Sequence, residues 1–349
     1  MQSLIVPMVG NSSRFPNVRP KWMLTHPKSG FMGTEAIKGL DLDSFDKIYF
    51  VAQKSHQEKY GFTKGFINEF YEIKDKIEFV LLDHPTNSQP ETVYECIQKV
   101  GIKGAILVKD SDNFFEANVK SDGNYVCYFD LNDRDDLNAR NKSYLQFDVN
   151  GYISNIVEKK VVSSTFSVGG YGFDSADEFC EYFKSCVKLQ PELYMSNVIF
   201  EMLLHDKKFT GIKTSDYEDW GTLVEWNNYK KTFKTLFIDL DGVLIENTSA
   251  YIAPFLGTGK PLEKNIKLLQ DLDEKGRTCI IITTSRPYGS HDITVEELKR
   301  HKIPHDGLMM NLSHCQRIVV NDFANSNPFP SCSAINIKRD SDTLEECWI

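Results

Sequence analysis

The sequence predicts an α/β protein of two domains, each a largely parallel sheet covered on both faces by helices. Three observations carry this expectation. Short apolar runs alternate with helical stretches along the chain, a second strand–helix series starts afresh at Thr235, and a polar, basic stretch over residues 226–234 separates the two series. A chain of 349 residues can bury two cores of ordinary size. The boundary is expected near Thr232, giving domains 1–231 and 232–349.

In the first series strands are expected over residues 4–8, 47–52, 77–82, 105–109 and 125–129, with helices over 60–72 and 91–99. In the second, strands are expected over 235–238, 278–283 and 318–320, with helices over 262–275 and 294–301. Ligands in sheets of this kind bind at the carboxyl ends of the strands, so residues just after each strand are the first candidates for function.

Composition narrows the choice. Apolar residues at 41% and charged residues at 26% are those of a soluble globular protein. The formal net charge of -9 argues against a nucleic-acid partner, because phosphate backbones demand clustered Lys and Arg. A small molecule is expected instead, and it can still be an anion. Met1-Gln2-Ser3 leads directly into an apolar run with no basic start, and no apolar run approaches the roughly 20 residues of a membrane span. A cytoplasmic protein without a membrane span is therefore expected. The eight cysteines are scattered and form no C-x-x-C pair, as expected of buried or idle thiols rather than disulfides or zinc ligands.

The segment Phe237-Ile238-Asp239-Leu240-Asp241-Gly242 is an apolar strand ending in two carboxylates. Residues i and i+2 of an extended chain project to the same side, and two carboxylates so placed repel unless a cation is near, which suggests Mg2+. The run 280–283 leads to Thr284-Ser285-Arg286-Pro287, whose hydroxyls can bind a phosphate oxygen, and 318–320 leads to Asn321-Asp322, a further acid for the metal. In this order the three strand ends resemble the haloacid dehalogenase superfamily of phosphotransferases, over about residues 234–345. The resemblance implies Asp239 as nucleophile, Asp241 as acid and base, Thr284 as phosphate ligand, and Asp239, Asp241 and Asp322 around Mg2+. Arg317 is the first candidate for the cation that steadies the phosphate, Lys302 the second. The short spacing between motifs leaves no room for a cap domain. Such open sites are closed by a homo-oligomer, a large substrate, or here the N-terminal domain.

The first strand is followed by Gly10-Asn11-Ser12-Ser13-Arg14-Phe15 and then Pro20-Lys21-Trp22-Met23-Leu24. A small-residue turn brings backbone N–H groups against a phosphate chain, and Arg14 and Lys21 add positive charge. With these residues the segment resembles the sugar-phosphate nucleotidyltransferases, in a branch associated with capsule and surface-glycan biosynthesis. Ser12 stands where that family keeps a second glycine. Later segments match in order: Gln89 in a base-reading segment, Asp112 (Asp110 second) as a metal ligand, Lys159 after Glu158 for the acceptor's phosphate, and Asp219 before Gly221-Thr222 as the second metal ligand.

Both domains would then be Rossmann-like three-layer folds, an N-terminal nucleotidyltransferase fold and a C-terminal haloacid-dehalogenase-like fold. The implied protein is a bifunctional enzyme of polysaccharide precursor synthesis. One domain transfers a nucleotidyl group from a nucleoside triphosphate, with CTP suggested, to a small phosphorylated acceptor, and the other hydrolyses a phosphate monoester. The competing reading is a phosphatase whose N-terminal domain only binds nucleotide or caps the site.

Overall fold

The computed structural model describes residues 2–10, 14–16, 18–119, 122–135, 137–138, 140–188, 193–322 and 330–348. The chain divides into two compact units, Met1–Trp226 and Asn227–Ile349.

In the first unit the elements run β1 (Gln2–Pro7), α1 (Met32–Glu35), β2 (Lys47–Gln53), α2 (Lys54–Tyr60), α3 (Thr63–Glu69), β3 (Ile77–Leu82), α4 (Gln89–Val100), β4 (Ala105–Lys109) and β5 (Asn113–Glu116). They continue through β6 (Asn124–Asp130), β7 (Ser143–Phe147), β8 (Ile153–Glu158), β9 (Thr165–Phe173), α5 (Ala176–Val187), α6 (Met195–Leu204), β10 (Phe209–Lys213) and β11 (Ser215–Asp219). Helix α7 (Leu223–Lys231) spans the division between the units.

The main sheet has the order β10-β6-β9-β4-β1-β2-β3 and is mixed. Strands β4, β1, β2 and β3 are parallel, as expected, but β9 lies antiparallel between β4 and β6. The antiparallel hairpin β7–β8 joins at β9, and β11 pairs with β5 as a separate ribbon. The expectation of a largely parallel sheet missed β9 because Ser167-Val168-Gly169-Gly170-Tyr171-Gly172 has little β propensity of its own. Its glycines are used for close packing. A Cβ on Gly172 would stand 2.2 Å from the Tyr125 ring, so the bulk of that ring replaces a side chain on β9.

Strand β1 is buried on both faces. Ile5 joins one core with Val93, Ile97 and Phe179, while Leu4 and Val6 join another with Trp22, Phe50 and Phe66. Helix α4 starts at the Ser88 cap, whose hydroxyl accepts from the Glu91 N–H at 3.3 Å, and stops at Gly101 with φ 76°. The helix expected over 60–72 is broken instead. Gly61 (φ 59°) closes α2 by donating to the Gln57 carbonyl at 2.8 Å, and the chain restarts as α3 and a 3₁₀ turn at Tyr71–Lys76.

The second unit carries β12 (Lys234–Asp239), α8 (Glu263–Glu274), β13 (Thr278–Thr283), α9 (His291–Arg300) and β14 (Gly307–Met309), the three strands forming a parallel sheet in that order. Its core is Ile238, Leu240, Leu244, Ile266, Leu269, Ile280, Ile282 and Leu298. The strand expected over 318–320 is not in this sheet. Asp306 donates its N–H to the Ile280 carbonyl and accepts the Ile280 N–H, both at 2.7 Å. That pins the chain beside β13 soon after α9 ends, and β14 forms along the same edge. Ile318, Val319 and Val320 remain exposed, at 78%, 66% and 90%.

Close backbone approach makes one first-unit position intolerant of any side chain. A Cβ on Gly39 would lie 2.1 Å from the Phe115 carbonyl oxygen, a backbone atom that cannot swing aside. Gly39→Ala is expected to cost about 1–3 kcal/mol, read as a lower urea midpoint with an unchanged m-value; an unchanged midpoint would refute this packing.

Candidate active site

The first site is built where β4 leaves the sheet. Asp110, Ser111 and Asp112 form a short turn, and β5 begins at Asn113. Asn113 is paired with Asp219 across the antiparallel β5–β11 ladder, and the Trp220 N–H donates to the Asp112 carbonyl at 2.9 Å. The carboxylates of Asp112 and Asp219 therefore converge. Both come within 3.5 Å of one point, the place a Cβ would take on Gly221, and a guanidinium nitrogen of Arg14 lies 3.5 Å from the same point.

Cations already surround both acids. The Lys21 ammonium donates to Asp112, with an Arg14 nitrogen at 3.6 Å from the same oxygen. Lys142 donates to Asp219 and, at 2.8 Å, to the Tyr217 hydroxyl. Asp219 also accepts the Gly221 N–H at 2.9 Å. Burial would raise the Asp112 carboxyl, but Lys21, Arg14 and Lys109 outweigh it and hold this group below the usual range. Asp110 goes the other way, raised by burial and by the neighbouring Asp112 charge.

The two acids of the turn thus face different surroundings. Asp112 looks toward Arg14, Lys21 and Gly221, whereas Asp110 receives the Gln89 amide and rests on the backbone of Gly169. Gly169 has φ 81°, and a Cβ there would be 2.3 Å from an Asp110 oxygen. Gln89, expected in a base-reading segment, has its amide on Asp110. Gly10 follows β1, and among the described residues nothing lies within 4 Å of where a Cβ would stand. Ser12 and Ser13 lie outside the described residues.

Lys159 stands just past β8 with φ 56°, its ammonium on the Tyr194 hydroxyl and 4.2 Å from that ring's centre. Its N–H donates to the Lys142 carbonyl at 2.8 Å, which links it to the lysine on Asp219. Lys142 and the fully buried Lys109 went unrecognised in the sequence. For Lys109 the signal was present, a lysine ending the apolar run Ala105-Ile106-Leu107-Val108. Lys142 sits in a polar stretch with no pattern to mark it. His26 is buried against Trp220 and Trp226, at ring distances of 5.0 and 5.9 Å, and is pushed down to about 3, first by burial and then by Lys28 and Lys38. It is a neutral brace between the segment after Lys21 and the segment after Asp219.

In the second unit Asp239 ends β12 and faces Arg317 at 3.2 Å. Burial raises the Asp239 carboxyl, with Arg317 opposing. Asp241 accepts from Arg286 Nε at 2.9 Å and Nη2 at 2.7 Å, from Thr248 at 2.6 Å and from Thr284 at 3.1 Å. Arg286 also donates to Glu297 at 2.6 Å, and both residues are buried. Asp322 is exposed beyond the stretch that stays out of the sheet, its own N–H on Asn321 Oδ1 at 3.0 Å. Among the described residues no group of three or more His, Cys, Asp or Glu side chains is placed to hold a metal. The expected ligand set of Asp239, Asp241 and Asp322 is therefore not assembled.

No helix among the described residues is long and apolar enough to cross a membrane. No protein-family model and no curated protein matches the chain. Solved structures do. A nucleoside-diphosphate-sugar pyrophosphorylase from Vibrio cholerae RC9 is similar with a TM-score of 0.54 and 19% identity, over 65% of this chain and 99% of that one. The inositol-1-phosphate CTP transferase from T. maritima is similar with a TM-score of 0.51 and 10% identity, over 64% and 91%. A UDP-glucose pyrophosphorylase complexed with UDP-glucose gives 0.51 and 13%, over 66% and 97%. At these identities the likeness is one of fold, and the N-terminal part of the chain has the Rossmann-like fold of these nucleotidyltransferases.

Proposed function

We propose that the first unit transfers a nucleotidyl group from a nucleoside triphosphate to a small phosphorylated acceptor, releasing pyrophosphate. The observation that carries this is the convergence of Asp112 and Asp219 over Gly221, with Arg14 and Lys21 beside them, on a fold shared with nucleotidyltransferases. The residues fit Mg2+, which is commonly held by one or two carboxylates together with substrate phosphates rather than by an all-protein cage. Each acid already sits against a lysine ammonium, so the place is complementary to a cation. When bound there, Mg2+ would screen the repulsion between two anionic substrates and polarise the α-phosphate.

The chain's own residues have distinct tasks in this reading. Gly10 receives the triphosphate backbone-first. Arg14 and Lys21 stabilise charge on the departing pyrophosphate. Lys159 orients the acceptor's phosphate for attack, aided by the Tyr194 ring beneath it. The acceptor is a sugar or sugar-like phosphate, CTP is the suggested donor, and the product is an activated precursor for a surface polysaccharide.

In the same reading the second unit is a capless, haloacid-dehalogenase-like phosphatase domain with Asp239 as nucleophile, Arg317 beside it, and Thr284 for the phosphoryl group. Its substrate would carry a phosphate other than the one used by the transferase, because otherwise one activity would consume the other's acceptor. A second reading has specific support. Asp241 is engaged by Arg286, Thr248 and Thr284, an arrangement suited to a fixed carboxylate rather than to a proton donor, which favours a second unit that binds phosphate without hydrolysing it.

Asp112→Asn and Asp219→Asn are each expected to lower pyrophosphate release by at least about 100-fold, the equivalent of several kcal/mol of metal-borne stabilisation. Retained activity in either variant would rule out the paired-carboxylate site. Lys159→Met should raise the acceptor KM roughly tenfold and leave the triphosphate KM unchanged; equal effects on both would remove Lys159 from the acceptor side. Asp239→Asn should abolish phosphate release from monoesters while pyrophosphate release continues. If the wild-type protein releases no phosphate from any monoester of a broad panel, the binding-only reading stands.

A further inference from the structure

Lys109 is the last residue of β4, and none of its surface reaches solvent. A lysine ammonium has three donors and no acceptor. Here it has three oxygen partners: the Asp110 carbonyl at 2.9 Å, the Asn113 carbonyl at 3.0 Å and the Asn113 side-chain oxygen. The Phe115 ring closes another side, its centre 4.5 Å from the ammonium. Among the described residues no ion pair joins Lys109 to a carboxylate. Burial pushes the group down to about 8, against the through-space pull of Asp110 and Asp112.

A buried charge satisfied by neutral acceptors is costly, and a well-packed apolar side chain is often as stable or more so. Stability alone therefore gives no reason for a lysine at this place. Its partners do. They bracket the turn that carries Asp110 and Asp112, and Asn113 is also the residue paired with Asp219 in the β5–β11 ladder. One ammonium thus ties together the two ends of the acidic turn and holds the strand residue opposite Asp219.

We propose that Lys109 is a positioning residue for the nucleotidyl transfer, bracing the Asp112 turn against β11 so that Asp112 and Asp219 present their carboxylates to a single divalent cation. This rests on the nucleotidyltransferase reading. Groups that orient metal ligands without touching the metal commonly contribute 10- to 100-fold in affinity.

The test is Mn2+ binding to the full-length protein, followed by electron paramagnetic resonance and calorimetry, with Lys109→Met and Asn113→Ala beside the wild type. Removing a nearby positive charge would by itself tighten cation binding, so charge and positioning predict opposite signs. Lys109→Met is expected to bind Mn2+ roughly 10- to 100-fold more weakly, with an unchanged circular dichroism spectrum, and to regain pyrophosphate release as Mg2+ is raised. Asn113→Ala, which keeps the lysine and its charge, should weaken binding in the same direction. Unchanged or tighter binding in folded Lys109→Met overturns the proposal. If that variant does not fold, Asn113→Ala decides, and an unchanged affinity there overturns it equally. A wild type that binds no Mn2+ would sink the metal reading beneath it, an outcome distinct from wild-type binding that the variants leave intact.

Discussion

Two carboxylates far apart in the sequence meet because Asn113 of β5 and Asp219 of β11 are paired across an antiparallel ladder. The first site depends on that ladder. It sets the Asp112 carbonyl under the Trp220 N–H, brings Gly221 to where both acids point, and leaves Arg14 and Lys21 with an anionic partner. Gly221 matters for the same reason, since its missing side chain is the space on which the carboxylates converge. The buried Lys109 beneath the turn and the neutral His26 between the two loops serve the same end, each packing polar groups where a loop would otherwise drift.

Charge balance explains why this arrangement is stable as it stands. Two acids in a largely buried turn repel and are poorly solvated. The protein separates their roles by giving Asp112 the cations and giving Asp110 the Gln89 amide and the Gly169 backbone. One carboxyl is pulled down and the other pushed up as a result. The second unit solves a related problem differently. There a single buried arginine, Arg286, serves both Asp241 and Glu297, while Asp239 faces the exposed Arg317.

Much of the fold was legible because it rests on local pattern. The apolar runs that become β1 to β4, β12 and β13 have the length and flanking turns of buried parallel strands, and Gly101 marks the end of α4 as glycine commonly does. Strand β9 was not legible, since its glycines are chosen by the rings of Tyr125 and Phe115 that pack over them. The Ile-Val-Val run over 318–320 shows the opposite failure. Its residues favour a strand, but among the described residues they pair with no strand and stay exposed, and propensity without a partner makes no strand.

Sequence by itself determined the identity of the chemistry-bearing groups. Acids at strand ends, a small-residue turn with Arg14, and Lys21 after a proline are local features, and residue type and order are enough to mark them. Tertiary structure alone decided which acids share a space, because convergence depends on strand order and register rather than on spacing along the chain. It brought Asp219 to Asp112 and recruited Lys109, Lys142 and Arg286, whose significance lies wholly in what they touch.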